Sequence, residues 1–512
     1  MQKQKSKRNI FGGHRMLLAG ILCLFGFCLL AQKPVQSRVK KTSEDTTKVR
    51  KREATPQKQP AKSKVYLIHS DLLRKDSRNP DAQVVVGNVV FRHDSVYMYC
   101  DSAYYYDKIS SFEAFSNVKM NQGDTLFLYG DRLYYDGNTQ IAEVRMNVRM
   151  ENRNTTLLTD SLNYDRVYNL GYFFDGGTLM DEQNVLTSEW GEFNPGSKQS
   201  VFNYNVKLVN PQFTLTSDTL EYNTASKVAN IVGPSDILSD NNHIYSERGT
   251  YNTMTGKAYL LDRSVLTNEG KQLTGDSLFY DRNEGLGEAF RNMVLTDTIN
   301  KNMMTGEYGF YNEKRGYAFA TDKAVAIDYS QGDSLFLHGD TLLMDTFHLD
   351  TDPMFREMRA FHKVRFYRTD VQGVADSLVF SSKDSCLTMY RDPILWNESQ
   401  QLVGEKICIY MNDSTIDWAH IINQALSVEQ LDTTKYNQVT GKEMKAYFRD
   451  RQMYKTEVIG SVRVVYYPMD SDSTLIGMNV SETSKLDIYL ENQKLEKLVI
   501  SPKTNRTHYP IT

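Results

Sequence analysis

The 512-residue chain carries a formal net charge of −3, 11% aromatic residues, 32 Tyr against 3 Trp, and 12 Pro. Interspersed charges exclude a broad basic field of the kind that binds nucleic acid, and a tyrosine-rich, proline-poor mix favours pleated half-buried surfaces over helices or disorder. The length suffices for a large core as one repeat body or several domains.

At the N-terminus, Lys3, Lys5, Lys7, Arg8 and Arg15 precede the uncharged run "MLLAGILCLFGFCLLA", Met16 to Ala31. That pattern reads as an export signal, too short for a comfortable membrane span. Cleavage after Ala31 competes with retention as an N-terminal anchor, because Leu29 stands where a small residue is preferred. Bulky Leu22 and Phe27 before Cys23 and Cys28 argue against lipidation. Past the leader only Cys100, Cys386 and Cys408 remain, an odd and widely spaced set that excludes a disulfide framework. Residues 32–64 hold eleven Lys or Arg against Glu44, Asp45 and Glu53, with Pro34, Pro56 and Pro60, and read as a disordered basic tether. Weak attraction to an anionic membrane is the sharper alternative for this segment.

From residue 65 onward the chain repeats. "LIHSDLL" around Asp71 recurs as "YMYCDSAYYYD" at Asp101, "FLYGDRLYYD" at Asp131, "LLTDSLNYD" at Asp160 and "LTSEWGEF" at Glu189. It continues through Asp218, Glu247, Asp276, Glu307, Asp340, Asp376 and Glu405, then Glu443 and a worn copy at Asn479. Most intervals are 29 or 30 residues, lengthening after Glu307, which marks a stacked repeat architecture with a degenerate cap. We divide the repeats at 65–345 and a looser continuation at 346–512.

Three residues before the acid the side chain is apolar in twelve of fourteen copies, and four residues after it ten of fourteen are aromatic, including Tyr105, Tyr135, Tyr164, Phe193, Tyr222, Tyr251 and Tyr280. Those two positions lie on opposite faces of an uninterrupted strand, so the spacing predicts a bulge or corner at the Ser/Gly/Thr–Asp step. The acids are structural corner elements on this reading, each accepting hydrogen bonds from turn amides or a nearby hydroxyl such as Thr219. A second strand precedes each corner strand, as in "SNVKMNQGDTLFLYG", "AEVRMNVRM" and "NYNVKLVN". Strands joined by Gly, Asn and Asp turns, without a long amphipathic helix, predict an all-β body.

An exported chain of strand pairs beginning "VVVGNVVF", Val84 to Phe91, followed by repeated D-[ST]-L-x-Y, resembles the OstA-like group of the LptA/LptC/LptD N-terminal superfamily, the periplasmic lipopolysaccharide-transport modules. The resemblance is strongest from Lys64 to Asp340. It implies an elongated, V-shaped and partly open β-jelly roll whose apolar interior holds acyl chains while the head group stays outside. It also implies a periplasmic lipid-binding bridge in outer-membrane assembly, with lipopolysaccharide or a related lipid as ligand. Other lipopolysaccharide-transport proteins would join by strand-edge pairing, and an uncleaved leader would attach the chain to the inner membrane. The candidate groove residues are Val118, Met120, Leu126, Leu128, Val148, Met150, Leu157, Leu162, Val206, Leu208, Leu215 and Leu220.

Two other readings compete. Catalysis needs one constellation with separated roles, whereas these acids are equivalent and dispersed, so we expect no enzyme, no cofactor and no metal. Asp333 and Asp340 with His338 between them form the densest polar cluster and read as a corner beside a loop. A right-handed β-solenoid with a structural or adhesive role also fits the period.

Overall fold

The computed structural model describes residues 63–510, other than positions 78, 240, 263, 331, 350, 352, 398–399, 413–414, 451, 471–473, 492–493 and 503. The leader at 1–31 and nearly all of the basic segment at 32–64 lie outside the described residues. Within them the chain forms 38 β-strands and one 3₁₀ turn at Asp107–Ile109, with no helix long and apolar enough to cross a membrane.

Ten pairs of these strands are halves of one interrupted pass, so the 38 strands amount to 28 passes, each inner one paired with the pass before and the pass after it. The pairing is antiparallel from the first ladder to the last. A right-handed β-solenoid stacks its coils in parallel, so that alternative gives way to an antiparallel meander of jelly-roll type. Registers continue across residue 345 without a break: the strand Leu335–Phe347 pairs with Phe355–Arg368, and that strand with Val371–Ser381.

Each repeat supplies two passes, and both bend halfway. One pass carries the acid; in most repeats the neighbouring pass carries two consecutive left-handed residues that face it. Ser116 and Asn117, at φ 62° and 51°, stand opposite Asp101 and Asp131, and Met146 and Asn147, at 63° and 52°, stand opposite Asp131 and Asp160. The extra residue of the bulge therefore sits on the neighbouring pass and not at the Ser/Gly/Thr–Asp step. Asparagine recurs here, as Asn88, Asn117, Asn147, Asn205 and Asn292, because its short polar side chain tolerates left-handed backbone best among residues with a Cβ.

The bend gives each motif residue a separate task. In "GDRLYYD", Gly130 packs so closely that a Cβ would lie 2.4 Å from Val144 Cγ1, Asp131 is exposed at the corner, and Leu133 and Tyr135 turn inward. Asp136 then accepts hydrogen bonds in the following turn, from the Asn138 amide at 2.8 Å. The same side-chain-capped turn recurs at Asp165, Asn194, Asn223, Asn252 and Asp281. Strand, corner, inward aromatic and turn thus share one seven-residue word.

Corner chemistry is uneven. Asp101 accepts from Ser116 and Asn117, each at 2.7 Å, Asp131 from Asn147 at 2.6 Å, and Asp276 from Asn292 at 3.1 Å. Glu189 accepts from Asn205, and Glu405 from Asn423 and Gln424 at 3.1 and 2.8 Å. Glu307 and Asp376 instead face Lys323 and Arg391, at 2.8 and 3.1 Å. Asp160 and Asp340 occupy the same register position, and Glu247 interrupts its pass there, with the Tyr245 hydroxyl 3.1 Å from its carboxylate. Asp218 departs from expectation: the Thr219 hydroxyl donates to Asn203 at 2.9 Å, and among the described residues no hydrogen bond reaches the exposed Asp218 carboxylate. The following pass breaks at Val232, Gly233 and Pro234, where no asparagine is available to donate.

The last two copies also shift. Register places Lys442, not Glu443, opposite the left-handed Asn423 and Gln424, and Ser484, not Asn479, opposite Gly460 and Ser461. Gly441 before Lys442 keeps the small residue that the corner needs, while the charge at the corner has reversed.

Candidate functional site

Because each pass bends, the sheet has two arms whose inner faces share one apolar cluster extending from Val65 to Leu486. The arms differ in composition. One presents an aliphatic row in direct cross-strand register: Met98, Met120, Leu128, Met150, Leu157, Leu179, Leu186, Leu208, Leu215, Ile237 and Ile244. Each such side chain is withdrawn from water, and full burial of a Leu contributes about 1.5–3 kcal/mol.

The other arm presents large and small residues alternately. Tyr135, Ala142, Tyr164, Gly171, Phe193, Ser200, Tyr222, Ala229, Tyr251, Ala258, Tyr280, Gly287, Tyr311 and Ala318 follow one another in register. The aromatics come from acid-bearing passes and the small residues from their neighbours, so rings interdigitate across a sheet in which two adjacent rings would collide. At Gly287 a Cβ would lie 2.6 Å from Leu266 Cδ2 on the opposite arm.

All twelve sequence-selected apolar positions are buried in this cluster. Met120, Leu128, Met150, Leu157, Leu208 and Leu215 belong to the aliphatic row; Val118, Val148 and Val206 flank the corner; Leu126 lies at the rim; and Leu162 and Leu220 belong to the aromatic arm. The small half of the ladder escaped sequence reading, although Ala, Gly or Ser recurs between successive tyrosines.

The free rims of the two arms meet along a seam of polar contacts. His93 Nδ1 lies 2.6 Å from the Tyr135 hydroxyl, Gln122 donates to Asn169 at 2.8 Å, and Lys198 donates to Asn152. Lys227 bridges to Asp181 at 2.8 Å, Arg282 donates to Gln212, and Asn242 donates to Glu313 at 3.4 Å. Tyr135 and Tyr222 serve both layers, since the ring packs inward while the hydroxyl joins the seam; Tyr222 donates to Asp181 at 2.8 Å and accepts from Asn184 at 3.0 Å.

Burial pushes the hydroxyls of Tyr135, Tyr164 and Tyr251 up to about 12. Tyr222 is raised by burial and by the Asp181 charge. The His93 imidazole is held below its ordinary value by burial and then by the Arg166 guanidinium. The N-terminal end of the core is closed by the incoming chain: Val65 is fully buried, its carbonyl accepts from Tyr105 at 2.8 Å, and Lys64 pairs with Asp107 at 2.8 Å.

Among the described residues no group of three or more His, Cys, Asp or Glu side chains is arranged to hold a metal ion. Asp333 accepts from the Thr369 hydroxyl, tying one loop to the next.

Comparison with known proteins finds the family model described as OstA-like protein over residues 62–218 and 214–276. No curated protein matches the chain. The meander, the corner bulges and the aromatic–small ladder run on past the matched residues to Ala318 in unchanged register.

Proposed function

From the premise that residues 62–276 are OstA-like, we propose that the protein is an exported carrier that holds the acyl chains of lipopolysaccharide or a related envelope lipid between the two arms of its sheet. The observation that carries this reading is the apolar cluster from Val65 to Leu486, with an aliphatic row on one arm and, as far as Ala318, an aromatic–small ladder on the other. A lipid with several acyl chains needs a long dry surface, and each methylene withdrawn from water contributes about 0.8 kcal/mol. Nearly equivalent repeats give that surface an even depth, so a chain can slide along it without a deep trap.

The role is binding and carriage, with no chemistry performed on the lipid. The place of action is the periplasm, reached through the leader at 1–31, which either departs or anchors the protein to the inner membrane. The two ends of the meander support partner binding: among the described residues the half-strands Tyr66–His69 and Leu72–Lys75 pair on one side only and expose Tyr66, Ile68, Leu72 and Leu73. The half-strands Lys494–Ser501 and Asn505–Pro510 likewise pair on one side. Unpaired ladder groups there suit strand addition by another lipopolysaccharide-transport module.

Purified protein should bind lipopolysaccharide, or a fluorescent fatty-acyl probe, saturably and in competition with detergent. A photo-crosslinker at Leu128 or Leu215 should capture lipid in cells and one at outward Glu221 should not. Folded protein that binds no lipid, or equal capture at all three positions, overturns the reading.

A further inference from the structure

The seam does not run the whole length of the meander. Among the described residues its last polar contact is Asn242 to Glu313, supported by the Lys271 ammonium 5.4 Å from the centre of the Tyr311 ring. Between residues 317 and 412 no hydrogen bond or ion pair joins the two rims among the described residues. The inner ladder changes at the same place. After Ala318 the register continues through Met344, Met358, Phe380 and Leu387, and the aromatic–small alternation is lost.

These four side chains are half-buried, whereas Tyr135, Tyr164, Tyr222 and Tyr251 of the closed stretch are withdrawn from water almost completely. Met344, Met358 and Leu387 pack against the main core, so the half-buried row is continuous with the interior and does not belong to the outer face. Just before the row, the arms leave a narrow gap of about 10 Å³, with Leu266, Leu273 and Leu295 on one side and Tyr280, Gly287 and Tyr311 on the other.

Resting on the carrier reading above, we propose that Met344, Met358, Phe380 and Leu387 form the lateral entry port through which a lipid acyl chain slips into the core. Three properties suit that task together. Among the described residues the rims carry no polar latch here, so parting them breaks no ion pair between those residues. Methionine is unbranched and rearranges around a guest without strain. The row continues in register, through Ala318, into the tyrosine-sealed core. Along the sealed stretch, the same entry would break contacts such as Lys227 to Asp181 and leave buried charge unpaired.

The test is the association rate of a pyrene-labelled fatty acid with the full chain. Introducing Met344→Glu with Met358→Glu should slow entry by about tenfold or more, because an acyl chain must then displace carboxylates from the port. Leu238→Glu, on the exposed outer face, should leave the rate unchanged. Should the double variant lose its β-sheet circular dichroism, time-resolved photo-capture decides: a benzophenone side chain at Met358 should take up the label before one at Leu215. Equal rates in the two variants, or label reaching Leu215 first, overturn the port while leaving lipid binding intact. No binding by the unaltered chain overturns the carrier reading and the port with it.

Discussion

The Lys227 ammonium reaches across the seam to within 2.8 Å of both Asp181 carboxylate oxygens, and the Tyr222 hydroxyl donates to the same carboxylate at 2.8 Å. The Asp181 side chain is 2% exposed and that of Lys227 12%, so the pair is largely dry. Removing the cation alone strands a buried negative charge. Lys227→Met should cost about 3–5 kcal/mol in urea unfolding, and Lys227→Met with Asp181→Leu should recover much of it. A double variant no more stable than the single would show that the charge pair is not what holds the rims here.

Corner stability should follow the donor and not the acid. Asn147 combines φ 52° with a 2.6 Å bond to Asp131, so Asn147→Ala adds left-handed strain to a lost hydrogen bond. The expected cost is about 1–2 kcal/mol, with Asn147→Gly milder. Asp218, which accepts no hydrogen bond among the described residues, should tolerate Asp218→Ala within about 0.5 kcal/mol. Thermal denaturation of the three variants side by side gives the ranking.

The aromatic–small ladder predicts a penalty for filling as well as for emptying. Ala229 stands in register between Tyr222 and Tyr251 and is fully buried. Ala229→Leu should therefore destabilise by about 1–3 kcal/mol despite the added apolar surface. Tyr222→Phe keeps the ring but removes one donor from Asp181, for about 1–3 kcal/mol. Chemical denaturation with unchanged dependence on denaturant would confirm that both effects belong to the folded state.

Buried His93 and the buried tyrosines set opposite limits of pH. His93 is favoured neutral when folded, so its contribution is present above the ordinary histidine value of about 6.5 and is lost as pH falls through that value towards the lower folded one. His93→Gln should flatten the acid limb of a stability–pH curve. Tyr135, Tyr164 and Tyr251 keep their protons up to about 12. Their contribution is present below about pH 10 and is lost as pH rises from there to about 12. Tyrosinate absorbance should rise together with unfolding, and a rise well before unfolding would show that the ladder is solvated.

Much of this fold was legible because strand period, turn chemistry and repeat length are local properties. The inward Leu at two residues past the acid, the ring at four and the Asx turn at five all follow from adjacent letters, and Tyr222 with Asn223 needs no distant partner to be recognised. Register was not local. Only pairing with Asn423 and Gln424 identifies Lys442 as the corner, and only pairing with Tyr222 and Tyr251 gives Ala229 its purpose.

The sequence by itself determined an all-β repeat chain with bent strands, apolar inner positions and capped turns, because those follow from which side chains alternate and which backbones turn. Tertiary structure decided which rims meet. Asp181 lies 46 residues from Lys227, and Asn242 lies 71 from Glu313. Those distances arise from how the whole meander twists, so the sealed seam and its open stretch at Met344 to Leu387 exist only once every pass has been laid beside its neighbour.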